Sequence, residues 1–334
     1  MPGVAAMLDY CIVGLGNIAE KAYLKATGTT RGARLAGVCD IIPERAERWG
    51  AETGRPCYTD LEQMLDETDP DFVIDCTPHN VHREVIEAAC RRGTHVLKEK
   101  PFARSLDEAR QIDEMSRRSG IMVMIALQRR FNGIHRRFAE LRGSINPFLI
   151  ECRYSAYISS PGSGWRGTRE QAGGGCVIDM GYHMIDLLIW YFGLPSMVCA
   201  EFSAAAVPSG AYDAEDTAAI MFNYGRGLYG SLTLSRFAPR TEYMRATGSN
   251  GILEVTKDEL RYMKNDGTMM EQTRQEFDMP KLVAEEIDYF AGVINGEEQN
   301  FSGTEQNLGH MSFIDACYKS RESGVYQRID GRVH

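Results

Sequence analysis

Three side chains in this sequence could move a proton: Lys100, Asp179 and His183. Asp179 and His183 are four residues apart, so on the helix predicted over Ile178–Tyr191 they would share one face. A histidine titrates near neutral pH, and an adjacent carboxylate can orient its ring. Lys100 follows a predicted strand, and its ammonium group can polarise an oxygen atom. We predict that Asp179 and His183 are catalytic rather than part of a solvated helix face, because the rest of that helix is strongly apolar.

A glycine-rich turn lies near the start of the chain. Gly14, Gly16 and Ala19 follow the spacing G-x-G-x-x-A between a predicted strand and a predicted helix. Gly14 would permit the tight turn, and Gly16 would let the backbone approach a pyrophosphate at the helix N-terminus. The predicted dinucleotide contacts in this turn are Gly14, Gly16, Asn17 and Ile18.

Asp40 ends the next predicted strand. An acidic side chain there accepts hydrogen bonds from an adenosine ribose 2′-hydroxyl and repels a 2′-phosphate. It therefore favours NAD over NADP as the cofactor, although Arg45 is near enough to weaken the preference. The alternative is that Asp40 only caps the turn before Pro43.

Strands and helices alternate through the first third of the chain. The predicted strands are Tyr10–Val13, Leu35–Cys39, Phe72–Cys76, His95–Leu97 and Ile121–Leu127. The predicted helices between them are Ile18–Thr27, Pro43–Thr53, Val81–Arg92 and Leu106–Ser119. Buried strands alternating with helices predict an α/β Rossmann domain with a parallel sheet.

The pattern changes after about residue 127. The later strands are predicted at Phe148–Ser159, Val198–Ala205, Thr217–Tyr224, Leu228–Ser235 and Ile252–Val255. Helices are predicted at Ile134–Leu141, Ile178–Tyr191, Leu282–Ile294 and Leu308–Ser323. This order predicts an α+β domain with a mostly antiparallel sheet. We therefore divide the chain into an NAD(P)-binding domain, 1–127, and a substrate-binding and dimerisation domain, 128–334.

Three further segments carry a family resemblance: Cys76–His82, Glu99–Pro101 and Gly173–Asp186. In this order and spacing the chain resembles the Gfo/Idh/MocA family of sugar and cyclitol oxidoreductases. One departure is His79, which occupies a position where the family often has asparagine. The resemblance implies that Lys100 contacts the cofactor and the reacting hydroxyl, and that Asp179 and His183 are catalytic. The further cofactor contacts are predicted at Thr77, Pro78, His79, His82, Glu99, Gln128, Trp165 and Arg166.

Arginines crowd the segments expected to line the substrate site: Arg129, Arg130, Arg153, Arg166 and Arg169. The predicted substrate contacts are Arg129, Arg153, Arg169 and Tyr182. Guanidinium groups pair bidentately with phosphate and carboxylate groups, which favours a charged sugar. The alternative is that these arginines pair with Glu151, Glu170 or the cofactor phosphates.

The predicted function is hydride transfer between NAD(P) and a secondary alcohol or ketone of a sugar, cyclitol or nucleotide sugar. One alternative is a glycosidase that uses NAD as a transient oxidant. Another is a non-catalytic regulator that senses dinucleotide or sugar, which the presence of Lys100, Asp179 and His183 disfavours.

The composition and charge of the chain disfavour several other classes of protein. The net charge of -9 disfavours a nucleic-acid partner. Nine cysteines without a C-x-x-C pair favour a reducing compartment. Residues 1–9 lack the pattern of a signal peptide, and no apolar run is long enough to span a bilayer, so we predict a cytoplasmic protein without a membrane partner. His79 and His82 lack a third ligand at a sensible spacing, so no metal site is predicted.

Leu228, Leu232 and Leu234 fall on one side of a predicted strand. An antiparallel sheet has one face on its helices and another that needs cover. Because members of the resembled family commonly pair these sheets, we predict a homodimer or homotetramer.

Overall fold

The computed structural model describes residues 6–205 and 212–330, which form two compact units. The first unit comprises residues 6–103, 107–128 and 278–307. The second comprises residues 104–106, 129–205, 212–277 and 308–330.

The first unit contains a six-stranded parallel sheet. Its strands are β1 (Leu8–Val13), β2 (Ala33–Cys39), β3 (Cys57–Tyr58), β4 (Phe72–Asp75), β5 (His95–Lys98) and β6 (Val123–Ile125). They are ordered β3-β2-β1-β4-β5-β6, the order of the dinucleotide-binding fold. The predicted Rossmann architecture is confirmed.

The second unit contains a nine-stranded sheet in the described residues. Its strands are β7 (Pro147–Ser155), β8 (Met197–Ser203), β9 (Thr217–Asn223), β10 (Tyr229–Ser235), β11 (Thr241–Gly248), β12 (Gly251–Thr256), β13 (Glu259–Met263), β14 (Met269–Arg274) and β15 (Gln327–Arg328). Neighbouring strands are antiparallel except β7 and β10, which are parallel. The predicted, mostly antiparallel sheet is confirmed.

Ten α-helices occur in the described residues, and none is long and apolar enough to cross a membrane. They are α1 (Leu24–Ala26), α2 (Pro43–Thr53), α3 (Leu61–Thr68), α4 (His82–Arg92), α5 (Leu106–Ser119), α6 (Gly133–Leu141), α7 (Arg169–Ala172), α8 (Gly181–Phe192), α9 (Met279–Ile294) and α10 (Thr304–Ser323). A π-helical turn, Ala19–Tyr23, precedes α1.

Helix α9 belongs to the first unit, so the chain does not divide at one boundary after residue 127 as predicted. Phe290 of α9 meets Phe72 of β4 edge to face, with 5.3 Å between ring centroids, and Tyr10 of β1 stacks on the same ring. The segment after α9 continues along β6, where the Ile125 N–H donates to the Ser302 carbonyl at 2.9 Å. The apolar face of α9 indicates that this helix packs against another element, but the sequence does not indicate which sheet that is.

The second sheet alternates between a buried and an exposed face. Leu232 and Leu234 of β10 are buried within the chain, and Leu234 packs against Gly181 at the start of α8. Tyr229 and Met221 lie on the opposite face and are 49% and 53% exposed. The face that needs cover is therefore the one opposite the leucines named from the sequence.

Several element ends differ from the prediction. Strands β6 and β7 are shorter than the apolar runs around them, and β7 ends at Ser155. Helix α8 begins at Gly181, so Asp179 lies in the turn before it, where its N–H donates to the Gly175 carbonyl at 3.1 Å. The predicted helix start at Ile178 is wrong, because the chain from Cys176 to Met180 forms turns after the glycine run, so Asp179 does not lie on the helix that carries His183.

Candidate functional site

The glycine turn after β1 leads directly into a helical segment. Gly14 has φ +84°, and a Cβ atom there would lie 2.8 Å from the Thr77 nitrogen. A Cβ at Gly16 would meet no described atom within 4 Å. The helix starts here, since the Glu20 N–H donates to the Gly16 carbonyl at 3.0 Å. Gly14 is thus required by the fold, while Gly16 leaves open space at the start of this helical segment, which fits a dinucleotide pyrophosphate.

Asp40 closes this turn from the end of β2. Its carboxylate accepts the Leu15 N–H at 2.7 Å and the Ile42 N–H at 2.9 Å, while Arg45 lies 3.9 Å away. The second bond is the turn contact that the sequence left as an alternative to ribose binding. A carboxylate has about four lone-pair sites, so these two bonds still leave acceptor capacity for ribose hydroxyls.

The segment after β4 is tied together around Asp75. The Thr77 hydroxyl donates to Asp75 at 2.6 Å, and His82 Nδ1 lies 2.7 Å from the other carboxylate oxygen. The rings of His79 and His82 are stacked, 5.9 Å apart. Burial lowers the pKa of His82 even though the carboxylate opposes this effect, which favours a neutral imidazole. This network shapes the backbone at Thr77 and Pro78, where a cofactor contact is predicted.

Glu99 and Gln128 form a buried pair beside the turn that carries Lys100. Glu99 accepts hydrogen bonds from the Tyr23 hydroxyl at 2.9 Å, the Gln128 amide at 3.0 Å and the Lys100 N–H at 3.2 Å. Burial raises the pKa of Glu99. Both predicted cofactor residues therefore contact this turn, whose Lys100–Pro101 peptide bond is cis.

The side chain of Lys98 anchors the same turn through hydrogen bonds, a role that the sequence analysis missed. Its ammonium group is fully buried and donates to the Glu99 carbonyl at 2.7 Å and to the Pro101 carbonyl. Burial lowers the pKa of Lys98 to about 7. The two bonds fix the chain on both sides of Lys100, whose own side chain is half-buried. A lysine ending a buried strand was the signal that could have revealed it.

The second unit holds the other predicted catalytic residues after a run of three glycines. A Cβ at Gly175 would lie 1.9 Å from the Glu215 carbonyl oxygen, so only glycine fits there. The Glu215 carboxylate accepts the N–H groups of Gly175 and Val177 at 2.9 and 3.0 Å, and the Tyr318 hydroxyl at 2.9 Å. Glu215, another residue that the sequence analysis missed, thus fixes the backbone that leads to Asp179.

Asp179 is 5% exposed and contacts two guanidinium groups. Its Oδ2 atom accepts from Arg236 Nη2 at 2.8 Å and from Arg166 Nε at 3.2 Å. Arg166 stacks over the Trp165 ring at 4.0 Å, so this predicted cofactor-binding pair lies beside Asp179. His183 is the third residue of α8 and is half-buried.

The predicted substrate arginines do not form one cluster. Arg129 is buried and lies 2.9 Å from Glu242, whereas Arg153 is exposed on β7, opposite Thr233 and Tyr243 on the open sheet face. Arg169 stacks over Tyr318 at 4.7 Å.

Arg130 and Tyr182 also contact other side chains of the second unit. Arg130 Nε donates to Asp186 at 3.1 Å, and His310 Nε2 lies 3.0 Å from the same carboxylate. Tyr182 is fully buried and stacks on His310, with 5.4 Å between the ring centroids. Arg129 and Arg130 are therefore paired with carboxylates of the chain, although with different ones from those considered in the sequence analysis, whereas Arg166 shares Asp179 with Arg236.

Family models match both parts of the chain. Residues 8–127 match the oxidoreductase family model with an NAD-binding Rossmann fold, and residues 146–254 match the GFO/IDH/MocA C-terminal domain. The chain belongs to the Gfo/Idh/MocA family. This family member is accordingly an NAD(P)-dependent oxidoreductase, and the resemblance predicted from its motifs is confirmed.

Similar proteins cover almost the whole of this Gfo/Idh/MocA member. D-xylose 1-dehydrogenase (NADP(+)) 2 of Haloferax volcanii is 26% identical over 330 residues, which span 96% of this chain and 99% of the relative. Aldose-aldose oxidoreductase of Caulobacter crescentus, solved with glycerol, has a TM-score of 0.87 at 23% identity, covering 96% of this chain and 99% of that one. Levoglucosan dehydrogenase, solved with NADH and levoglucosan, has a TM-score of 0.87 at 20% identity, covering 97% and 99%. The two solved structures share the fold of this chain.

Proposed function

We propose that this oxidoreductase is a dehydrogenase that transfers a hydride between NAD and a secondary alcohol or ketone carbon of a neutral sugar or cyclitol. The observation that carries the proposal is the pair of fixed turns that present Lys100 in the NAD-binding unit and Asp179 with His183 in the other unit. Relatives that are named as dehydrogenases of xylose, glucosides and apiose support the substrate class. They do not favour the glycosidase or the regulator as alternatives.

His183 removes the proton from the reacting hydroxyl and returns it in the reverse direction. Asp179 orients the reacting groups as a carboxylate, and Lys100 polarises the oxygen atom. The nicotinamide, when bound, supplies the site that accepts or donates the hydride. Gly14, Gly16, Asn17, Ile18 and the segment after Thr77 are the residues that would hold the dinucleotide.

We expect a neutral substrate, in contrast to the charged one inferred from the arginine count. Arg129 and Arg130 are each paired with a buried carboxylate, so they offer little unpaired positive charge to a phosphate. The test is a panel of neutral sugars, cyclitols, sugar phosphates, uronates and nucleotide sugars, scored by NADH and NADPH absorbance. The highest kcat/KM on a charged sugar would overturn the neutral class. Glycoside cleavage without net change in cofactor absorbance would favour the glycosidase instead.

Cofactor preference provides a prediction on Asp40. The wild-type protein should bind NAD(H) more tightly than NADP(H). Asp40→Ala should reduce the difference between the dissociation constants of the two cofactors. Asp40→Asn is the sharper variant, because its amide oxygen can still accept one of the Leu15 or Ile42 N–H bonds while the charge is lost. In titrations with both cofactors, we expect the ratio of the NADP(H) dissociation constant to the NAD(H) dissociation constant to fall by about tenfold or more. Equal or reversed dissociation constants in the wild type would contradict the prediction.

We also propose that two chains pair through the open face of the second sheet. This face carries Tyr229 and Met221, both half exposed, with Arg153 and Tyr243 on the strands beside them. Light scattering at micromolar concentration should give the mass of a dimer or tetramer. The double variant Met221→Glu/Tyr229→Glu should give a folded monomer, because charges would then face each other across the interface. A monomeric wild type would contradict the proposal.

A reducing, cytoplasmic location is also part of the proposal. All nine cysteines lie in the described part of the chain and are free, and six are buried. Burial raises the pKa of the Cys176 thiol well above its usual range, so this thiol beside the glycine run is a packed group and a poor nucleophile.

A further inference from the structure

Arg236 is a fully buried cation in the second unit that the proposed chemistry has not yet used. It follows β10, and its N–H donates to the Asp216 carbonyl at 2.8 Å, while its carbonyl accepts the Ile158 N–H at 2.9 Å. These bonds fix the backbone, so the guanidinium group has a defined position. A buried charge carries a large desolvation cost unless a partner compensates it.

The partner of this guanidinium is the predicted catalytic carboxylate. Arg236 Nη2 donates to Asp179 Oδ2 at 2.8 Å, and Nη1 donates to the Tyr212 hydroxyl. Arg166 contacts the same oxygen at 3.2 Å, but its side chain is 43% exposed, whereas that of Arg236 is 1% exposed. Arg236 is thus the better shielded of the two cations that contact Asp179.

An arginine does not lose its proton in a protein, so a buried guanidinium favours the ionised form of a carboxylate beside it. We propose that Arg236 is a positioning residue that holds Asp179 as an oriented, permanently ionised acceptor. This assignment rests on the proposed function, and it means that Asp179 does not take up the proton of the reacting hydroxyl. The proton of the reacting hydroxyl goes to His183, and oxidised nicotinamide, when bound, would accept the hydride from the carbon that carries this hydroxyl.

A double-mutant cycle tests the ion pair without any measurement of activity. Arg236→Met should lower the denaturant midpoint, because it leaves the buried Asp179 carboxylate without its main partner. Adding Asp179→Asn to Arg236→Met should raise the midpoint again, because it removes a buried negative charge whose remaining partner is the more exposed Arg166. A double variant no more stable than Arg236→Met would overturn the proposal.

Kinetics test the positioning role. Arg236→Met should lower kcat by about 100-fold, the size of effect that follows from a small displacement of a reacting group. Arg236→Lys should recover part of the loss, and added guanidinium ion should partly restore Arg236→Ala. Arg137→Met is the matched control and should keep the wild-type kcat, because it removes a bidentate pair with Glu271 at 2.9 and 2.8 Å elsewhere in the same unit.

The proposed function and the positioning role of Arg236 can be refuted separately. A wild type that is inactive on the whole substrate panel would count against the proposed function, and the stability cycle would still report on the ion pair. A wild type that is active, with Arg236→Met retaining its kcat and KM, would overturn the positioning role of Arg236.

Discussion

Replacing His183 by alanine should lower kcat by about 10²–10⁴-fold, the usual cost of losing a positioned acid–base group. His183 is a half-buried residue near the start of α8, so its removal should leave the fold intact. Dinucleotide affinity should survive, because the glycine turn and Asp40 belong to the other unit. Steady-state kinetics on the best panel substrate, together with NADH titration, measure both effects.

Lys100→Ala should produce a comparable loss of kcat. The turn should keep its shape, because Lys98 holds the carbonyls of Glu99 and Pro101 on either side of the substituted residue. Dinucleotide affinity is expected to weaken somewhat. A pH–rate profile identifies the base, since its ionisation near neutrality should vanish in the His183 variant and persist in the Lys100 variant. Near wild-type kcat in both variants would refute the assignment.

Gly14→Ala and Gly16→Ala should fail in different ways. Gly14→Ala combines a left-handed backbone with a Cβ placed 2.8 Å from the Thr77 nitrogen. Strain and overpacking each cost about 1–3 kcal/mol, so we expect about 2–6 kcal/mol of lost unfolding free energy. Gly16→Ala has no such contact in the described residues, so stability should stay near that of the wild type.

The Gly16 methyl group should instead occupy the space that the pyrophosphate needs. We expect the NAD dissociation constant of Gly16→Ala to rise roughly 10–100-fold. Denaturant unfolding and NADH titration of the two variants separate folding from binding. Unchanged NADH affinity in a folded Gly16→Ala protein would show that the dinucleotide does not approach this residue.

Local patterns predicted most of the first unit. Helix α5 spans the predicted Leu106–Ser119, and α2 begins at Pro43, which suits a first helical position. Helix α3 was missed although Asp60 caps it, accepting the Gln63 N–H at 2.8 Å. The place of α9 could not be read from its sequence, because its apolar face fits any sheet of similar hydrophobicity.

The site was predictable where a motif spans consecutive residues and missed where contacts join distant ones. Lys100 and the glycine runs were found from local sequence. Lys98 and Glu215 act through backbone groups, and Arg236 reaches Asp179 across 57 residues of chain. Their roles depend on burial and direction, which no spacing rule encodes. The turn at Asp179 was missed because helical periodicity continues through it, although the preceding glycines indicate a break.

The return of α9 to the first sheet has a consequence for synthesis on the ribosome. Residues 8–127 leave the exit tunnel long before Val283, Ile287 and Phe290, which complete the core around Tyr10 and Phe72. Until those residues emerge, the nascent NAD-binding unit exposes an apolar sheet surface and cannot reach its full stability. The order of translation thus makes strands β7 to β14 of the second sheet available for folding before the first unit is finished, whereas β15 of that sheet emerges only after α9.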